Sequence, residues 1–186
     1  MATVDAIKNP DTIKLISHLL EIRFSKQMSQ VWDIGLNLAL RISDLLSIKF
    51  SDIDGDRLII KEGKTGKQAN IKLNVKAQLV INQIQLDHPN HVFLFQSYLS
   101  QHAINSLPKP LTRRAVSQAF AEVGKEVKVK LGTHSMRKTR GFMLYNNTKD
   151  IARVMNMLRH SSVGVTLRYV GLTQLSIDKD FDDLEI

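Results

Sequence analysis

The sequence predicts a mostly α-helical domain carrying a small antiparallel β-sheet, on three observations. Apolar residues recur at helical spacing along most of the chain, as in Ile13, Ile16, Leu19 and Leu20, or Val31, Ile34 and Leu38. Residues 57–61 and 68–73 instead read as strands, on either side of a Gly63-Lys64-Thr65-Gly66 turn. At 186 residues and 43% hydrophobic content, one domain with an ordinary buried core is sufficient.

Taken in order, Asn9-Pro10-Asp11 places a capping side chain before a proline at the first helical position, so the first helix starts there. The apolar period continues from Val31 to Leu38 and again over Ile42, Leu45 and Leu46. That gives two further helices, with Arg41 near the start of the second and Asp44 within one turn of it. Asp54-Gly55 makes a turn into the strand pair, whose hairpin tip holds Lys64. Helices are then expected at about residues 75–85, 112–127, 134–145, 149–157, 162–169 and 174–184. Trp32 sits among helical apolar positions and reads as core.

Charge narrows the partners. Lys and Arg number 26 against 18 Asp and Glu, a net charge of +8, but five of those acids and one lysine fall in residues 170–186. Residues 1–169 therefore hold 25 basic and 13 acidic residues, a net charge of +12. A basic body with an acidic tail suits a polyanion, and nucleic acid is the commonest. With no cysteine, disulfides, thiolate nucleophiles and cysteine-ligated zinc are excluded. No stretch approaches the ~20 apolar residues of a membrane span, and no signal segment is evident at the start. The expected compartment is the cytoplasm, with no membrane contact.

Six polar residues then stand out: Arg41, Lys64, His134, Arg137, His160 and Tyr169. His134 and Arg137 are three apart on a predicted helix, and Tyr169 follows His160 by nine residues. Breaking a phosphodiester without a metal needs a nucleophile, positive charge on the developing phosphorane, and a proton for the leaving oxygen. A tyrosine supplies the first and stores the bond energy as a phosphotyrosine ester, so the ends can be rejoined without ATP. Two arginines can present planar donor forks to the non-bridging oxygens. The histidines can donate to the same phosphate or help to deprotonate the phenol. No cofactor and no metal are implied.

The same residues lie in segments that resemble the tyrosine recombinase, or phage integrase, family. ALRISDLLSIKFSDID is similar to its first arginine segment, with Arg41 as the catalytic arginine and Asp44 at the supporting acidic position. KEGKTGK resembles the hairpin of the catalytic lysine, best matched by Lys64, with Lys67 as the alternative. HVFLFQS and KPLTRRAVSQAF resemble the stretch leading to the second motif. THSMRKTRGFMLY resembles the His-x-x-Arg box, and MLRHSSVGVTLRYVG the box that ends in the nucleophile, Tyr169. Two glycines usual in the family are replaced, by Ala39 before the arginine and by Arg159 before the histidine, and no catalytic side chain is lost.

The resemblance implies the catalytic-domain fold of the family and site-specific breaking and rejoining of DNA in integration, excision or inversion, with Lys64 protonating the departing 5′ oxygen. It implies double-stranded DNA as partner, a homotetramer on DNA with a monomer in its absence, and a place for an accessory DNA-bending protein. Residues 1–186 are expected to form the catalytic domain alone, without the family's N-terminal core-binding domain. Residues 170–186 form a tail that can pack on its own domain or in a neighbouring protomer. Arg113, Arg114, Lys138, Arg140 and Lys67 are the expected further DNA contacts.

Ordinary readings compete with each assignment. A His-x-x-Arg pair is commonly a solvated helical face, Arg41 and Asp44 suit a surface ion pair worth a few tenths of a kcal/mol, and Tyr169 suits a packed aromatic. Tyr98 and Tyr145 are the other tyrosines, and both read as structural. Gly63-Lys64-Thr65 lacks the earlier glycine of a nucleotide-binding loop, since Leu58 stands there. His88-x-x-His91 reads as a surface loop rather than a metal site. A sequence-specific DNA-binding regulator that keeps the fold without strand exchange is the alternative function, and a relaxing topoisomerase is a further one.

Overall fold

The computed structural model describes residues 4–97 and 107–170, together with Asp178, Asp182 and Asp183. Helix α1 (Pro10–Arg23) starts where expected: the Asn9 side chain accepts from the amides of Asp11 and Thr12, and Pro10 opens the first turn. Helix α2 (Lys26–Leu38) is capped by Ser25 and ends at Ala39, which adopts a left-handed conformation with φ 51°. Helix α3 (Ile42–Leu46) follows, with Arg41 as its N-cap residue. Between the two helices the Ala39 N–H still donates to the Gly35 carbonyl, while its own carbonyl accepts from a side chain, Arg137.

After a 3₁₀ turn at Phe50–Asp52, three antiparallel strands form a sheet in the order β1 (Ile53–Asp54), β2 (Arg57–Lys61), β3 (Gln68–Lys72). Lys61 pairs with Gln68, so residues 62–67 are the hairpin loop, and Gly66 supplies its left-handed residue at φ 65°. Strand alternation turns Leu58 and Ile60 inward, and the same period brings Glu62 inward at the loop.

Helix α4 (Val75–Asp87) is capped by Asn74 and α5 (Arg113–Glu126) by Thr112. Then come α6 (Ser135–Thr148), α7 (Ile151–Leu158, capped by Asp150) and α8 (Val163–Val170). From α4 onward expected and observed helices agree to within about three residues at each end, whereas α2 begins at Lys26, five residues before its expected apolar run. The expected helix at 174–184 and Tyr98 lie outside the described residues, apart from the three tail aspartates named above.

Two apolar clusters organise the domain. The larger joins α1 to α5 and the sheet around Ile16, Leu20, Trp32, Leu45, Leu58, Phe95 and Phe120. Trp32 is fully buried, meets Phe120 edge to face and donates its indole N–H to the Ile13 carbonyl, which satisfies the polar atom of a core tryptophan. The smaller cluster packs Ala39, Val154, Leu158 and Val170 with Leu144, Tyr145, Ile151, Met157 and Tyr169. Tyr145 is thus a packing residue. Helix α6 contacts α2 on one side and α7 and α8 on the other, so its first turn lies between the clusters.

Candidate active site

Arg137, in the first turn of α6, is 1% exposed. A buried guanidinium needs its donors filled. Its Nη1 donates to the Ala39 carbonyl at 2.5 Å and its Nη2 to the Leu158 carbonyl at 2.5 Å, the one at the end of α2 and the other at the end of α7. Two helix C-termini, whose carbonyls carry partial negative charge, thus converge on one cation. Burial, partly offset by the Tyr169 phenol, pulls its pKa down from 12.5 to about 10, which leaves it protonated at neutral pH.

Arg137 Nη2 also lies 3.3 Å from His160 Nε2. Because guanidinium has no acceptor, Nε2 is the accepting nitrogen, and Nδ1 carries the proton toward Thr166 Oγ1 at 3.1 Å. Thr166 in turn donates to the Ser162 carbonyl. Burial, then the charges of Arg137, Arg41 and Arg159, hold His160 at about 4, so its ring is neutral.

Tyr169 sits near the end of α8, its ring edge-to-face with His160 at 4.7 Å between centroids. Its hydroxyl is 3.3 Å from Nδ1 of His134, the residue before α6. Burial, then the cations Arg137, Arg113, Lys138 and Arg41, lower the His134 pKa from its ordinary 6.5. A neutral Nδ1 can accept the phenolic proton.

Arg41 lies across the cavity. Its Nη1 is 3.1 Å from Glu62 Oε2 and 3.9 Å from Asp44 Oδ2. The expected acidic partner, Asp44, is therefore the more distant one, and its Oδ1 instead accepts the Gly63 amide at 3.0 Å and so fastens the lysine hairpin. Glu62 is the partner that the sequence reading passed over. A signal for it existed: it continues the inward register of Leu58 and Ile60, and a buried carboxylate requires cations. Its Oε1 accepts from Arg159 Nε at 2.5 Å and its Oε2 from Thr65 Oγ1 at 2.8 Å. Burial alone would raise this carboxyl, but the hydrogen bonds from Arg159 and Thr65 and the charges of Arg159 and Arg41 hold it below the ordinary carboxylate range.

Both departures from the family's glycines fall at left-handed positions, Ala39 at φ 51° and Arg159 at φ 53°. A side chain there costs on the order of 1 kcal/mol.

All six candidates line one cavity of about 560 Å³: Arg41, Lys64, His134, Arg137, His160 and Tyr169, with Glu62, Thr65, Lys67 and Arg159. Lys64 and Lys67 are both exposed on the hairpin loop. Of the further DNA candidates, Arg113 and Arg114 are exposed on the first turn of α5, and the charge of Arg113 is felt at His134. Lys138 Nζ donates to the Val4 carbonyl at 2.8 Å and lies over the Tyr169 ring, because residues 4–7 run across α6. Arg140, lowered by burial, lines a separate cavity with Asn37, Leu38 and residues of β3. Lys138 thus stands beside the tyrosine with its ammonium bonded to the Val4 carbonyl. Among the described residues no cluster of His, Asp or Glu could hold a metal ion, and His88 and His91 stack on each other at 4.4 Å. Among those residues, too, no helix is long and apolar enough to cross a membrane.

Residues 9–175 match the phage integrase family. The chain belongs to that family. The probable integrase/recombinase YoeC of Bacillus subtilis is 32% identical over 179 residues, which span 94% of this chain and 93% of YoeC. A probable integrase/recombinase of Acholeplasma phage L2 is 25% identical over 138 residues, covering 73% of this chain and 45% of the phage protein. Among solved structures, the post-cleavage complex of the XerH site-specific recombinase with palindromic difH substrate superposes with a TM-score of 0.70 at 15% identity, over 96% of this chain and 53% of XerH. The fold is that of tyrosine recombinase catalytic domains, mostly helical with the three-stranded sheet. This integrase-family chain thus spans nearly all of YoeC and about half of the phage and XerH proteins.

Proposed function

We propose that this protein is a tyrosine-type site-specific recombinase that cleaves and rejoins double-stranded DNA through a 3′-phosphotyrosyl intermediate. Family membership supports recombination rather than a regulator that has kept the fold, and XerH, of like fold, is a recombinase solved on its DNA substrate. The observation that carries the mechanism is the single cavity in which Arg41, Arg137 and Tyr169 face one another.

In the proposed reaction, the Tyr169 oxygen attacks phosphorus and the P–O5′ bond breaks. The phenolic proton passes to the neutral Nδ1 of His134, 3.3 Å away. Arg41 and Arg137 hold the non-bridging oxygens, and removal of one such donor typically costs about a hundredfold or more in rate. Lys64, at the hairpin tip, protonates the departing 5′ oxygen, with Lys67 as the competing donor. His160 keeps Arg137 in place by accepting from its Nη2. Attack of a 5′ hydroxyl on the phosphotyrosine reverses these steps. Arg113 and Arg114 extend the basic surface toward neighbouring phosphates. On DNA the unit is proposed to be a homotetramer, aided by a DNA-bending protein, with this chain as its catalytic domain.

Nicked duplex fragments of the source genome, incubated with the protein and denatured, should yield covalent protein–DNA from the wild type and none from Tyr169→Phe. Equal, negligible adduct from both proteins, under conditions where DNA is bound, defeats the enzymatic reading.

A further inference from the structure

We propose that Glu62 is a positioning residue for strand cleavage: its one carboxylate sets the pose of the Arg41 guanidinium, braced from behind by Arg159. This rests on the recombinase reading above and assigns a role to residues outside its catalytic set.

Glu62 is 1% exposed at the root of the lysine hairpin. Three groups from different parts of the chain donate to it: Arg41 at the start of α3, Arg159 at the end of α7, and Thr65 beside Lys64. Each oxygen takes one guanidinium, so the carboxylate bridges two cations that would otherwise repel each other across the cavity. Asp44 cannot substitute, since its Oδ2 stands 3.9 Å from Arg41 and its Oδ1 is engaged by Gly63.

Arg159 gives an independent reason. It holds a left-handed backbone position, where a side chain is strained, yet it spans 97 residues of sequence to reach Glu62 at 2.5 Å. That strain is compensated if the arginine fixes the carboxylate that fixes Arg41. A guanidinium held in its working pose does not have to be ordered when the phosphate arrives.

The near-isosteric Glu62→Gln variant separates this role from a general contribution to folding. Its amide nitrogen must face a guanidinium, so one of the two clamps is lost, while a negative charge also leaves the DNA-facing cavity. Adduct formation at saturating nicked DNA should slow at least tenfold, while DNA affinity stays equal or becomes tighter. Glu62→Ala should show the same split, and Arg159→Gly a weaker version of it. Rates within about threefold of wild type for Glu62→Gln overturn the proposal, as does a parallel fall of rate and affinity, the mark of a damaged fold. A wild type that forms no Tyr169-dependent adduct overturns instead the recombinase reading, and this inference with it.

Discussion

Arg137→Lys keeps the charge and removes the fork. In the native protein the guanidinium satisfies the Ala39 and Leu158 carbonyls together, each at 2.5 Å, from a side chain that is 1% exposed. An ammonium carries its three donors on one nitrogen, so it cannot take the places of both Nη1 and Nη2 and can meet only one of the two carbonyls at full strength. One charge-assisted hydrogen bond is then lost, about 1.5–3 kcal/mol, and a carbonyl is left unpaired in the interior. Taking about 2 kcal/mol, and about 2–4 °C per kcal/mol for a domain of this size, the melting temperature should fall by roughly 4–8 °C. Because the same fork is proposed to hold a phosphate oxygen, single-turnover adduct formation on nicked DNA should drop by about a hundredfold or more. Thermal unfolding and denaturing-gel time courses read the two effects separately. A lysine variant that melts with the wild type refutes the two-carbonyl anchor, and one that also cleaves at the wild-type rate refutes the role of the fork.

Stability should fall on acidification between about pH 6.5 and pH 4. His160 is held at about 4 when folded, against an ordinary 6.5, so the unfolded chain takes up that proton first and gains on the native state as pH drops through this window. His134, also lowered, acts in the same sense, and Glu62, lowered from 4.5, adds a loss at the acid end. Melting temperatures taken from about pH 7 to about pH 5 should decline, less steeply for His160→Gln; equal slopes would rule out His160 as a source. The lysine assignment can be tested with a substrate whose bridging 5′ oxygen is sulfur, a leaving group that needs no proton. Lys64→Ala should be slow on the oxygen substrate and restored on the sulfur one, and if Lys67→Ala alone behaves this way the role belongs to Lys67.

Local chemistry was legible. Asn9-Pro10 marks a helix start because a capping side chain acts within its own turn, and strand β2 runs Arg57–Lys61 as expected beside the glycine turn. The candidate site was legible only as a set of residue types in order. Nothing near Lys138 in the sequence indicates that its ammonium donates to the Val4 carbonyl, which is 134 positions away. Likewise Asp44, the acid nearest Arg41 in sequence, gave way to Glu62, an acid nearer in space.

From its sequence alone this protein settles which segments are helical, where the hairpin stands, and that arginines, histidines, a lysine and a tyrosine suited to phosphoryl transfer are present. Periodicity and capping need only a few neighbouring residues, so those features survive without the fold. The tertiary structure alone decides that the Ala39 and Leu158 carbonyls meet on Arg137 and that Glu62 joins Arg41 to Arg159. Those contacts link residues up to 98 positions apart, and whether a buried charge finds its counter-charge depends on how the two cores pack, which no local pattern encodes.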